Sequence, residues 1–166
     1  MATTTNDYTK AQMDYLAGQS HSALGQTDQA YARYLHTIEN YPLSYYSYLA
    51  LVELVDAGIP VDDLDRGLVD YYADQNDVAL VAFERFIKAN PINNGTAHYY
   101  RALTFRNLQR TTEAVQELDY FIKTHPDNPN WSEAWREKSF LQWAVLGDYD
   151  AAAKTLFDFV AQVPNA

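Results

Sequence analysis

One pattern recurs four times in this chain, and it restricts the fold to a stack of similar helical units. An alanine is followed four residues on by an aromatic residue or leucine, then by Ile or Val, then by proline. The copies are Ala30, Tyr34, Ile38, Pro42; Ala79, Phe83, Ile87, Pro91; Ala114, Leu118, Ile122, Pro126; and Ala152, Leu156, Val160, Pro164. Residues four apart share one face of a helix. Each copy therefore reads as an amphipathic helix that its proline stops. The second copy, Asp77 to Pro91, shows this best: Ala79, Phe83, Phe86 and Ile87 make one apolar stripe, and Pro91 biases Asn90 out of the helical region.

The intervening segments also read as helices. The spacing predicts a disordered tail over 1–7 and a helix from Tyr8 to Ala23, with Gly18 inside it. A glycine in mid-helix costs about 1 kcal/mol against alanine, so Gly18 is expected to admit a close neighbour. Gly25 suits the left-handed residue after a helix, and Thr27 or Asp28 suits the next N-cap. Ser44 caps a tyrosine-rich helix, 45–57, that stands outside the repeat: the prolines are 49 residues apart there, against 35 and 38 afterwards. Val61 to Ala73 reads as a helix with Leu64, Gly67, Leu68 and Tyr71 inward. Thr96 to about Leu108 follows, then a helix capped by Thr111 or Thr112 that ends at Thr124. The last two run from Ser132 through Trp143 to Val145 and on to Val163. The expectation is an all-α chain of about nine helices, forming one domain over 8–166 with about four repeats. A single helix pair cannot bury its own apolar face, so neighbours stack into an array.

Composition narrows the function. The net charge is -10, which argues against a nucleic-acid backbone as partner. Residues 1–91 carry a net of -8 and residues 92–166 a net of -2. The acidic run Asp62, Asp63, Asp65, Asp70, Asp74 and Asp77 reads as a solvated face; a calcium loop would need alternating acidic ligands and a closing Glu, which it lacks. No charge-free window is long enough to span a membrane, and the first residues lack the basic and apolar regions of a secretory signal. With no cysteine in the chain, thiolate metal sites are excluded. His21, His36, His98 and His125 have no ligand spacing, so no metal or cofactor is expected. His98, beside Tyr99, Tyr100 and Arg101, reads first as a packing or surface histidine. Glu133 and Glu137 lie one turn apart on a helix taken to be exposed, and no acid/base pair is read from them. No catalytic motif occurs, and the chain is expected not to be an enzyme.

At these residues the chain resembles the tetratricopeptide repeat. The A-x3-F half of that signature fits at Ala30/Tyr34, Ala79/Phe83, Ala114/Leu118 and Ala152/Leu156. The L-G-x2-Y half fits less well, at Ala17-Gly18 with His21, Arg66-Gly67 with Tyr71, and Arg101-Ala102 with Phe105. The resemblance implies a right-handed superhelix of antiparallel helix pairs, and a concave groove that binds a protein or an extended peptide. In that family the groove is lined by the first helix of each pair. Carried onto this chain, that gives Tyr15, Gln19, Ser22, Leu68, Tyr72, Tyr99, Leu103, Arg106, Asn107, Glu137 and Leu141. Each of the tyrosines among them also has a structural reading, since tyrosine fills helical interiors with its hydroxyl reaching water.

A narrower resemblance covers residues 41–46, 65–72 and 97–103, which look like the helical superhelix ahead of the catalytic domain in bacterial soluble lytic transglycosylases. It implies a peptidoglycan-contacting platform in the cell envelope or periplasm. Nothing after Trp143 reads as that enzyme's catalytic Glu-Ser segment.

The last helix carries Ala151, Ala152, Ala153, Leu156, Phe157, Phe159, Val160 and Val163, with Asp150, Lys154, Asp158 and Gln162 as a narrow polar stripe. Pairing with the preceding helix through Trp143 is expected to cover Ala152, Leu156, Phe159 and Val163. Ala153, Phe157 and Val160 are left facing where another repeat would stack. A longer array, or a homodimer anchored on Phe157, is the expectation.

Overall fold

The computed structural model describes residues 5–163, and every regular element among them is helical. The order is α1 (Thr5–Ala23), α2 (Thr27–Asn40), α3 (Tyr45–Asp56), α4 (Asp63–Tyr72), α5 (Asn76–Ala89), α6 (Thr96–Asn107), α7 (Thr111–Thr124), α8 (Trp131–Phe140) and α9 (Tyr149–Gln162). A π-helical turn, Leu141–Val145, prolongs α8. Nine α-helices among the described residues match the expected count. Residues 5–7, expected in a disordered tail, belong to α1; residues 1–4 and Pro164 lie outside the described part.

The chain forms two compact units, Met1–Ala82 and Phe83–Ala166, which are described in turn. In the first, α1 packs against α2, and α3 packs on both and reaches α4. The core gathers Tyr15, Ala30, Tyr34, Ile38, Ala50, Leu51, Leu54 and Val69. Gly18 has the role its position predicts: a Cβ there would lie 2.4 Å from the Tyr34 ring. Gly25 is left-handed at φ 72°. Ser44 caps α3 by accepting from the Tyr46 amide, and its neighbour Ser47 donates to the Tyr41 and Thr37 carbonyls, closing the α2–α3 corner. The α2 cap differs from expectation: Gln26 holds that position, and Thr27 and Asp28 already lie in the first turn. α4 is shorter than expected because Asp62 caps it, accepting from the Leu64 and Asp65 amides. Its buried residues are Gly67, Val69 and Asp70, so the acidic run is not wholly a solvated face.

In the second unit, α7 lies between α6 and α8, and α9 packs on α8 and its π turn. Phe83, Ala97, Ala102, Ala114, Leu118 and Phe121 are fully buried. Arg110, not Thr111 or Thr112, is the residue before α7. The repeat alanines are all buried, as are Tyr34, Phe83 and Leu118, but in the fourth copy Leu156 is 49% and Val160 63% exposed. α2 and α7 each have a following helix against them, α3 and α8. α9 packs chiefly on α8 and the π turn among the described residues, and its inward positions are Ala152 and Thr155. Thr155 donates to Gln142 Oε1 at 2.7 Å within this contact. Phe159 is covered by Trp131 and Trp135, not by Trp143, which is exposed.

Candidate functional site

In the second unit the residues mapped to the groove fall on α6 and α8. Four residues per near-turn bring Tyr99, Leu103, Arg106 and Asn107 toward one side of α6. Tyr99 and Leu103 are buried, and Tyr99 packs its ring against Phe121 at 5.6 Å. Both were expected to line a groove; their burial makes them packing residues. Leu141, only 2% exposed, is likewise core.

The polar members of the set converge. Arg106 Nη1 donates to Glu137 Oε2 at 2.7 Å, and Arg106 Nε and Nη2 donate to Asn107 Oδ1. Glu137 is buried, contrary to its reading as an exposed helix carboxylate, and its second oxygen accepts from Arg136 Nη2 at 3.1 Å. Arg136 also pairs with Glu133, whose carboxyl that guanidinium holds below the usual range. Arg136 itself was not among the expected site residues. Its signal was the placement of Glu133, Arg136 and Glu137 at helical spacing on one turn. The result is a row of two guanidiniums and one amide, pinned by two carboxylates. The two fixed guanidiniums suit the carbonyl and carboxylate oxygens of an extended chain, and Asn107 serves as the acceptor that steadies Arg106.

Behind this face, α6 and α7 are locked by a buried polar cluster. His98 Nδ1 lies 2.6 Å from Glu117 Oε1, and Arg101 Nη2 donates to Glu117 Oε2 at 2.6 Å. Burial alone raises the Glu117 carboxyl, yet the His98 and Arg101 hydrogen bonds outweigh it and hold the group below its ordinary value. His98 is thus a buried structural histidine. The ring of His125 stacks near it, and burial, reinforced by the charge of His98, lowers the His125 pKa.

In the first unit the mapped residues are Tyr15, Gln19, Ser22, Leu68 and Tyr72. Tyr15 is buried against Tyr34 and Tyr46 and is a packing residue as well. Gln19 is exposed and donates to the Tyr15 hydroxyl at 2.9 Å. Burial, then Glu53, raises the Tyr15 pKa, and the same two causes push Tyr34 up to about 12. Ser22 and Tyr72 are exposed, and Leu68 is half-buried. The roles of Glu53 and Tyr46, both on α3, were missed because that helix stands outside the repeat.

No group of three or more metal-binding side chains occurs among the described residues. No helix among them is long and apolar enough to cross a membrane.

Paired antiparallel helices with a repeated small-and-large core pattern define a helical repeat protein. Two models of the tetratricopeptide repeat match the chain, over residues 64–129 and 12–44, and support placing it with the tetratricopeptide-like helical repeat proteins. α3, α8 with its π turn, and α9 lie outside both matches. No curated protein and no solved structure matches the chain.

Proposed function

We propose that this protein is a noncatalytic scaffold that holds a protein segment, in extended form, against the α6–α8 face. Tetratricopeptide-like repeats point to protein interaction in general. The observation that supports this particular face is the row of Arg106, Asn107 and Arg136, fixed by Glu137 and Glu133. Donors fixed before binding lose little freedom when a ligand arrives. With Tyr99 packed inside, the face offers guanidinium groups rather than an aromatic trough. The test is selection from a random peptide display library on the full chain. Enriched peptides should bind Asn107→Ala and Arg136→Ala at least tenfold more weakly, with unchanged melting of both variants. Equal binding would rule out this face.

The lytic transglycosylase likeness gains no support from the repeat matches, and a peptidoglycan role rests on residues 41–46, 65–72 and 97–103 alone. Purified peptidoglycan belongs in the same experiment as a competitor. Self-association is a separate reading of α9. There Ala153 is exposed and Phe157 is 75% exposed, beside Leu156 and Val160.

A further inference from the structure

Helix α9 has a second face. Its inward positions, Ala152 and Thr155, are covered by α8 and the π turn. Tyr149, Ala153, Leu156, Phe157 and Val160 form another stripe at spacings of three and four, and all five are exposed. An apolar stripe on a helix calls for something to cover it.

Beside this stripe lies a cleft of about 490 Å³. Phe140 and Trp143 line it from α8 and the π turn, and Tyr149, Ala153 and Leu156 line it from α9. Arg136 and Ser139 add polar groups to a mainly apolar wall. Phe140, Trp143, Tyr149, Leu156, Phe157 and Val160 together leave on the order of 700 Å² open, taking about 200 Å² for a whole aromatic side chain. The largest apolar patch of an ordinary monomer is about 300–600 Å². Each partner in a stable interface contributes about 800 Å². The open area therefore matches one half of such an interface.

The stripe is also self-complementary. Ala153 lies at its middle, with Tyr149 four residues before it and Phe157 four residues after. Two copies of α9 laid antiparallel about a two-fold axis at Ala153 bring alanine to alanine, where small side chains allow close approach. The same register brings each Phe157 to the other copy's Tyr149. Asp150 and Lys154 share one flank of the stripe, so Asp150 of each copy comes beside Lys154 of the other. Residues 92–166 carry a net charge of only -2, against -8 over residues 1–91, so this end meets its copy with little repulsion. A foreign partner would not require that symmetry.

We propose that the α8–α9 end of the chain docks on a second copy of itself, α9 antiparallel to α9 about a two-fold axis at Ala153, with Phe157 of each copy seated against Tyr149 of the other at the mouth of its cleft. The proposal rests on the self-association reading of α9 and adds the register and the contacts.

The chain has no cysteine, so one introduced thiol reports on one position. Ala153→Cys puts two thiols at the axis, within reach of a disulfide. Under mild oxidation of the full chain it should link into dimers at least tenfold faster than Asp158→Cys, whose half-exposed side chain lies off the stripe. Adding Phe157→Glu to Ala153→Cys should remove the difference, with the circular dichroism spectrum and melting unchanged. Sedimentation velocity on the unsubstituted chain is the second arm and should show a dimer. A dimer in sedimentation whose Ala153→Cys variant links no faster than Asp158→Cys would overturn the register and leave self-association standing. Fast linking that survives Phe157→Glu would overturn the seating of Phe157. A monomer at every concentration, with both thiol variants equally slow, would overturn the proposal and the self-association reading together.

Discussion

Arg106 on α6 and Glu137 on α8 are 31 residues apart in sequence and 2.7 Å apart in space. This contact ties two helices that are separated in the chain by the whole of α7. Glu137 is the more buried partner, with a side-chain exposure of 11% against 32% for Arg106. Removing Arg106 strands a buried carboxylate whose remaining partner is the exposed Arg136. Arg106→Ala should therefore destabilise the chain by about 1–3 kcal/mol, read by urea denaturation. Arg106→Ala combined with Glu137→Leu should recover much of the loss, because the stranded charge is gone. Losses that simply add would show that the pair does not couple.

Gly18 tests the closeness of α1 and α2. Alanine is the better helix former by about 1 kcal/mol. A methyl group at Gly18 would nevertheless meet the Tyr34 ring at 2.4 Å. Overpacking of this kind costs about 1–3 kcal/mol. Gly18→Ala should lower the melting temperature by several degrees in thermal circular dichroism. A rise would mean that the ring moves aside at no cost.

Much of this architecture was legible in the sequence because Ala and a large apolar residue four apart demand a helix with a buried face. Ala30/Tyr34, Ala79/Phe83 and Ala114/Leu118 meet that demand. Ala152/Leu156 does so by half, since burial of the leucine position needs a following helix and pattern alone cannot report one. The candidate site was less legible. The repeat-family resemblance grouped Arg106, Asn107 and Glu137 in one groove, but it cannot tell a groove tyrosine from a core tyrosine. Tyr15 and Tyr99 differ from Tyr72 in burial, which is set by the neighbouring helices. Asp70 was lost among six aspartates because charge suggests exposure, whereas its place on α4 turns it inward.

Asp70 also gives a prediction for pH. Its folded value, about 6, lies above the ordinary 3.8. The folded chain therefore holds the proton more tightly, and stability is greatest below the unfolded value and falls as pH rises through about 6. The full loss is about 3 kcal/mol at roughly 1.4 kcal/mol per pKa unit. Asp70→Asn should raise the urea midpoint at neutral pH and lose that advantage near pH 4. Arg66 of α4 and Asp56 of α3 face the group and are present in both proteins, so the comparison isolates Asp70. An advantage independent of pH would contradict a buried, titrating carboxylate.

The exposed side of α9 gives a prediction for association. Phe157 is the most exposed large apolar residue on that helix, followed by Tyr149 and Val160. Contiguous apolar surface of this kind marks interfaces, and aromatics dominate them. Sedimentation velocity should show a concentration-dependent dimer that Phe157→Glu abolishes without unfolding the chain. A monomer at every concentration would remove the pairing.

The central claim is that an extended protein segment binds along α6 and α8. Chemical-shift mapping of the ¹⁵N-labelled chain, with a peptide enriched from display, tests it most directly. The account predicts perturbed amides around 103–107 on α6 and 133–137 on α8, reduced together in Asn107→Ala. Perturbation confined to other helices, or displacement of the peptide by peptidoglycan fragments at equal concentration, would contradict it.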